Sequence, residues 1–377
     1  MTIVADIPAH VDALEVTVGV DTHADFHVAA VIDPLGRHLG HAPFDTTIAG
    51  FKALLAWAND IGPIALAGVE GTGAYGAGLA RFLTAEGMTV VEVDRPDRKT
   101  RRDQGKSDPI DAYAAARAAA SGRASGTPKT RTGDVEAVRV LRVARTGAVR
   151  ARAKALTQLK SLIVTAPDAL RAQLDGLDGA HLVTTCARLR AARGDAPTPS
   201  PFAKRAPRPG RLADPTAATK RALASIAGRI QQLDTEIAEL DDDLEALLKP
   251  LAPTLLDLFG VGYDVAGQLL VTAGDNPDRI RNEAAFAHLC GVAPIPASSG
   301  KNHNNFRLNR GGDRAANAAL YRIVLCRLRY DERTRAYVER RTKQGKSKKH
   351  IIRCLKRYIA REVYAAIKAD LNPTITP

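Results

Sequence analysis

The chain has 377 residues, with 54 lysines and arginines against 41 acids, a net charge of +13 and a pI near 9.7. A surplus of that size points to a polyanionic partner, nucleic acid before an anionic membrane. No apolar run reaches the roughly 18 residues of a membrane span, the start lacks a basic-then-apolar secretion signal, and Cys186, Cys290, Cys326 and Cys354 have no paired spacing for zinc or a disulfide frame, so two or three cytoplasmic domains are expected.

After a loose lead-in over residues 1–14, VTVGVDTHADFHVAAVIDPLGRHLGHAPFDTT reads as three strands, with turns at Thr22–Asp25 and Pro34–Gly36. An amphipathic helix with Phe51, Leu54, Leu55 and Ile61 on its apolar positions follows. Then come the strand IALAGVE, a glycine-rich turn at Gly71, Gly73 and Gly76, a helix through Leu79 and Phe82, and the strand MTVVEVD. Asp21 closes the first strand and Glu70 the fourth. Asp108 and Asp111 open an alanine-rich helix, where a spacing of three places both on nearly one face. This order, with acids at those strand ends, predicts a ribonuclease-H-like domain whose carboxylates converge on a metal pair. His23 and His27, close to Asp21, read as surface or packing residues. The basic stretch DRPDRKTRRDQGK, with Arg98, Lys99, Arg101, Arg102 and Lys106, reads as a phosphate clamp beside the acids.

Residues 135–164 predict a long helix with one apolar seam and an arginine-rich outside suited to nucleic acid. The stretch 191–215 is proline-rich and basic, and reads as a linker that ends in an Asp214 N-cap followed by Pro215. From Leu223 through Ile226, Ile230, Leu233, Ile237, Leu240 and Leu244 to Leu247, apolar residues alternate steps of three and four, a heptad seam. It fits a two-stranded dimer and packing against the 135–164 helix of the same chain equally well.

LLDLFGVGYDVAGQLLVTAGD has the character of a helix-hairpin-helix element, with Gly260 and Gly262 as phosphate-contact positions. CGVAPIPASSGKNHNNFRLNRGGDRAANAALYRIVL begins as an exposed loop, carries Lys301, Arg307, Arg310 and Arg314, and resumes helix near Ala315. A serine hydroxyl needs activation and a positive surround to attack a phosphodiester, and Ser299 is followed by Gly300 and Lys301. The tail from Arg322 to Arg361 is dense in arginine and lysine, with Tyr330, Tyr337 and Tyr358 interleaved, and reads as a phosphate-binding surface.

GVDTH, GVEGTGAYG, KSDPIDA, FGVGYDVAGQLL, GVAPIPASSGK and NRGGDRAAN, in that order, resemble the DEDD-type insertion-sequence transposases of the IS one-ten family, described as bridge-RNA-guided serine recombinases. The resemblance implies an α/β plus all-α chain in three parts. These are a RuvC-like DEDD catalytic domain over 1–130, a helical coiled-coil region over 131–250, and a C-terminal transposase domain over 251–377. It implies Asp21, Glu70, Asp108 and Asp111 as a tetrad for Mg²⁺ (or Mn²⁺), and Ser299 as nucleophile, with the adjacent Ser298 as the alternative. It also implies donor and target DNA, a non-coding bridge RNA and a homo-oligomer, dimer or tetramer, as partners. Two other readings of the residues stay open: a junction-resolving nuclease that uses water, and a non-catalytic nucleic-acid scaffold.

Overall fold

Valine-rich, β-branched runs favour a pleated and packed strand, and VTVGVDT forms β1 (Val16–Thr22) at the centre of a five-stranded sheet in the computed structural model. The structure describes residues 15–93, 107–192, 212, 214–298, 306–309 and 311–372. On one side of β1 lie β2 (Phe26–Ile32) and β3 (His38–Asp45), both antiparallel to their neighbours. On the other side β4 (Ile64–Glu70) and β5 (Val90–Val93) run parallel, giving the order β3-β2-β1-β4-β5. Parallel neighbours need crossovers. These are supplied by α1 (Ile48–Ile61) before β4 and α2 (Ala77–Ala85) before β5. The strands expected from the sequence are all present.

Strand alternation gives the sheet two unlike faces. Val16, Val18, Val20, Ala67 and Val69 pack on Phe51, Leu54 and Ala58 of α1 and on Leu79 and Leu83 of α2. The other face is covered by α3 (Asp108–Ala120), whose Ala112 and Ala116 meet Ala30 and Ile32. Here Gly19 and Gly68 set the distance. A Cβ on Gly19 would fall 2.1 Å from Ala116 N and 2.2 Å from Ala112 O, and one on Gly68 2.8 Å from Ala119 Cβ. Alanine on the helix and glycine on the strands let the two backbones touch.

The described residues divide into two compact units, one drawn from Met1–Gly133 with Ala273–Phe286, the other from Asp134–Thr272 with Ala287–Pro377. In the first, Asp275 fastens the returning segment. Its carboxylate accepts the N–H groups of Arg131, Thr132 and Gly133 at 3.2, 3.1 and 3.2 Å. Burial alone would raise the pKa of Asp275, but hydrogen bonds from Thr130 and from the Gly133, Arg131 and Thr132 amides outweigh it and hold it below the ordinary value. A lowered carboxylate pKa contributes stability that is present above the unfolded value and lost as pH falls through the folded one. Asp275→Ala is therefore expected to cost about 3 kcal/mol near neutral pH, and less in acid. Urea unfolding followed by the fluorescence of Trp57, the chain's single tryptophan, checks both.

In the second unit, α4 (Asp134–Val164) and α7 (Pro215–Leu251) lie antiparallel. Arg145 pairs with Asp241 and Arg152 with Asp234, so a step of seven up one helix matches seven down the other. The helices α5 (Asp168–Leu174) and α6 (Gly179–Ala187) close one end, where Leu159, Leu170, Leu182, Leu223 and Ile230 form a core. The expected cap at Asp214 is present, its carboxylate accepting Ala217 N–H at 2.7 Å. Of the two possibilities for the heptad seam, packing within the chain is the one seen. Leu223, Ile230 and Leu244 are buried, while Leu233, Ile237 and Leu240 are half-buried.

Some arginines of α4 depart from expectation. Arg139 is bound to Glu136 on its own helix, Arg142 is buried against Asp264, and Arg145 and Arg152, both partly exposed, pair with Asp241 and Asp234. Arg142, Arg145 and Arg152 thus help to hold elements of the unit together, while Arg150 and Lys154 stay exposed. Most of the 191–215 linker lies outside the described residues.

The remaining elements of the chain are α8 (Pro253–Leu256), α9 (Tyr263–Ala273), α10 (Glu283–Leu289), β6 (Pro294–Pro296), β7 (Phe306–Leu308), α11 (Arg314–Tyr330), α12 (Glu332–Lys343) and α13 (Lys348–Leu371). The segment read as an exposed loop contains instead an antiparallel pair, with Pro294 opposite Leu308 and Pro296 opposite Phe306. Two prolines hide a strand from propensity because proline cannot donate to a ladder, yet it is tolerated at an edge. Among the described residues no helix is long and apolar enough to cross a membrane.

Candidate active site

Parallel register pairs Val20 of β1 with Val69 of β4. The next residues, Asp21 and Glu70, therefore leave the sheet side by side on strands roughly 4.8 Å apart. Alternation puts Asp21 on the face of Gly19 and Glu70 on the face of Gly68, the face that α3 covers. The glycine–alanine contact brings the start of α3 over these strand ends. Asp108 is its first residue and Asp111 lies one turn on, both in the first turn.

The carboxylates of Asp21 and Asp108 meet through His23, whose Nε2 is 3.1 Å from Asp21 Oδ2 and 3.5 Å from Asp108 Oδ1. One ligand atom from each of the three residues lies within 4.8 Å of the others. Asp21 and Asp111 are buried, and Asp108 and Glu70 are partly exposed. Burial pushes the Asp21 carboxyl above its ordinary 3.8; His23 draws it down, and the charges of Asp111 and Asp108 push it up again. His23 is thus no mere packing residue. His23 lies just past the end of β1, so strand alternation alone did not mark it. His27 does match its packing role: it is buried, with its ring stacked on Phe51 at 5.7 Å.

The turn after Glu70 is anchored from afar. Gly71 has φ +64, and a Cβ on Gly76 would lie 2.6 Å from Glu70 O, so both positions demand glycine. Thr22 donates its hydroxyl to Glu70 O at 3.0 Å, and Arg131 Nη2 donates to Gly73 O at 2.9 Å. Thr72 donates to Glu92 at 2.7 Å, and Arg279 donates to the same carboxylate at 3.2 Å. Nothing local in the sequence marks Arg131 or Arg279 for this task.

Ser299, Lys301 and Arg310 lie outside the described residues, as do Arg98, Lys99, Arg101, Arg102 and Lys106. What is described is the base of the hairpin whose connection contains Ser299. Ser298 is exposed just beyond β6, Arg307 is exposed on β7, and Arg314 opens α11. The stretch NRGGDRAAN braces this base. A Cβ on Gly312 would fall 2.1 Å from Gly291 N, so two loops cross backbone to backbone there. Asp313 caps α11 by accepting the Ala315 and Ala316 N–H groups, and also accepts the Thr272 hydroxyl at 2.7 Å. Asn317 donates to Cys290 O at 3.0 Å and Gly291 O at 2.9 Å, and its Oδ1 accepts Lys356 Nζ at 2.7 Å. Burial, helped by the charge of Arg353, lowers the pKa of Lys356.

Gly260 has φ +87 and sits against Ile323 and Cys326 of α11, which accounts for a glycine there. Gly262 faces open space immediately before α9.

Asp21 and Glu70 stand at neighbouring parallel strand ends under a helix that opens with Asp108 and Asp111, and of these acids Asp21 and Asp108 gather with His23; the DEDD transposase family model matches residues 18–166. A second model, transposase of the IS116/IS110/IS902 family, matches residues 252–339. The chain belongs to the IS110 family of insertion-sequence transposases. It is 31% identical over 125 residues to the uncharacterized 43.6 kDa protein of insertion element IS110 from Streptomyces coelicolor, an alignment covering 33% of this chain and 31% of the relative. It is 27% identical over 158 residues to the uncharacterized 42 kDa protein of insertion element IS900 from Mycobacterium paratuberculosis, covering 41% and 40%. The matches thus span well under half of either relative.

Proposed function

We propose that this chain is a DNA recombinase that cuts and rejoins strands with an Asp21, Glu70, Asp108 and Asp111 tetrad as metal holder and Ser299 as nucleophile. One observation carries the first half: Asp21 and Asp108, 87 positions apart in sequence, each place a carboxylate oxygen within 4.8 Å of the other and of a His23 ring nitrogen. Packed carboxylates repel one another and take up protons unless a cation neutralises them; burial first, and then the charges of Asp111 and Asp108, raise the Asp21 pKa here against the pull of His23. The donor set fits a hard divalent cation, Mg²⁺ or Mn²⁺. The four acids are its holders, and His23 steadies Asp21 and Asp108. When bound, such a cation supplies charge stabilisation for the scissile phosphate and the leaving oxygen. The five-stranded order and the acid positions support a RuvC-like reading of residues 1–130. The α4–α7 pair supports a coiled-coil spacer over 131–250, and a transposase domain over 251–377 carries the serine.

In the strand-transfer step Ser299 Oγ attacks phosphorus. The Oγ–P bond forms as the bond from phosphorus to the departing strand oxygen breaks, and the serine proton is released. The resulting phosphoserine link conserves the bond energy, so that a strand hydroxyl can reverse the reaction. The family resemblance supports a bridge RNA that pairs with donor and target DNA, and a homo-oligomer that brings two centres together. Lys301, Arg307, Arg310, Arg314, Gly262 and the basic 94–106 stretch are proposed to hold the phosphates.

In Mg²⁺ with matched RNA and DNA, the wild type is expected to form a covalent protein–DNA adduct visible on a denaturing gel, and Ser299→Ala none. Cleavage that persists in Ser299→Ala without an adduct would transfer the chain to the water-using nucleases. An adduct retained by Ser299→Ala and lost in Ser298→Ala would move the nucleophile by one residue. Full-rate recombination without RNA would remove the guide.

A further inference from the structure

One cleft in the second unit has entered the chemistry so far only through Arg307 at its edge. It measures about 250 Å³ and lies between the β6–β7 hairpin and α13. Phe306 and Leu308 line one wall, with Arg307 beside them; Arg353, Arg357 and Tyr358 line the other. Arg353 and Arg357, four apart, share one helical face, and Tyr358 lies beside them along the same cleft. The opposite face of α13, with Ile351, Leu355, Ile359 and Val363, is buried in the unit. Phe306 is 56% exposed and Tyr358 48% exposed, so two aromatic rings stand open to solvent in a small cleft. The Tyr358 ring is held edge-on by Tyr337, with centroids 5.8 Å apart.

The lining is apolar rings plus cations, without one acidic residue. Aromatic faces with arginines beside them are how single-stranded nucleic acid is gripped, the bases stacking and the phosphates pairing. An acidic peptide would satisfy the charge but leaves the exposed rings unexplained. Pockets for larger ligands run from roughly 300 to 1,000 Å³, so this one suits a single base. The choice of DNA over RNA follows from the hairpin on which the cleft is built. Its wall is the same hairpin whose connection carries Ser298 and Ser299.

We propose that this cleft receives one unstacked base of the single-stranded DNA next to the cut, with Phe306 and Tyr358 offering ring faces and Arg307 and Arg353 taking the neighbouring phosphates. Placing that DNA beside the cut rests on the serine reading above; the cleft's own chemistry does not. An unstacked nucleotide held here pins the strand relative to the hairpin, so the cleft is a positioning site and not a catalytic one.

The test uses the full-length protein and an oligothymidylate of about 12 nucleotides, a length within the span of known single-strand sites, with one central 2-aminopurine. Binding is expected to quench the 2-aminopurine. Phe306→Ala and Arg353→Ala are each expected to weaken affinity by about tenfold. Both residues are exposed, so the unfolding temperature should stay as in wild type. Unchanged affinity in both variants overturns the proposal, as does equal or tighter binding of the matching oligouridylate. Adduct formation by the wild type is scored in parallel on matched DNA and RNA. Quenching with no adduct upholds the cleft and sinks the serine reading; an adduct with no quenching does the reverse.

Discussion

Asp21→Asn is expected to lower strand cleavage by about a thousandfold or more, because it removes charge where a phosphodiester enzyme concentrates its electrostatics. The same change should stabilise the metal-free protein. Asp21 is buried, and its pKa lies above the ordinary value through burial and the charges of Asp111 and Asp108, despite the opposing pull of His23. A carboxyl with a raised folded pKa contributes stability present below its unfolded value and lost as pH rises through the folded one. Near pH 7 that contribution is gone. The isosteric amide keeps the shape and drops the repulsion, which is expected to raise stability by about 1 kcal/mol. In excess Mg²⁺ the order reverses. A cation at a hundred times its Kd adds about 2.7 kcal/mol to whichever protein binds it, and only the wild type keeps all four proposed ligands. Melting curves with Mg²⁺ and with chelator, at neutral pH and near pH 4, check the whole pattern. A variant that is less stable than wild type in chelator, or that gains equally from Mg²⁺, would contradict the assignment of Asp21.

Gly19→Ala should be the most damaging single-methyl change in the first unit. The added Cβ would meet the backbone of α3 at 2.1 Å from Ala116 N and 2.2 Å from Ala112 O, where no side-chain rotation can relieve it. Either β1 or α3 must move. Overpacking of this kind costs about 3 kcal/mol. The displaced helix carries Asp108 and Asp111 at its first turn, so the acids move away from Asp21 as α3 lifts. A shift of roughly 1 Å at a reacting centre costs about a hundredfold in rate. Gly147→Ala supplies the contrast. Gly147 lies in α4 with nothing within 4 Å of its added Cβ, so alanine should stabilise the helix by about 0.5–1 kcal/mol. Thermal unfolding together with the adduct assay separates the two. Full activity in Gly19→Ala would show that α3 does not set the position of the acids.

The reading of the first unit from sequence succeeded where the signals are local. Valine-rich runs, the turns between them, and acids closing β1 and β4 are all written in stretches of ten residues or fewer. So is the Asp214 cap of α7. The glycines preceding Asp21 and Glu70 by two positions were also in plain view. Their purpose became visible only when α3 was seen lying on them.

By itself the sequence determined which residues form strands and helices, which carboxylates stand at strand ends, and that the chain is strongly basic. Propensity, alternation and net charge need no knowledge of distant neighbours. Only the tertiary structure decided that His23 bridges Asp21 and Asp108, that Arg131 and Arg279 brace the turn after Glu70, and that Asp275 ties residues 131–133 to a segment some 140 positions later. It also decided that Arg142, Arg145 and Arg152 pair with aspartates, and that two prolines sit in a strand pair beneath the serine loop. An ion pair or a backbone clamp between residues a hundred positions apart leaves no periodic trace in either partner's neighbourhood. The four acids were legible one at a time; the β1–β4 register sets Asp21 beside Glu70, and the glycine–alanine contact with α3 brings Asp108 to Asp21 and His23.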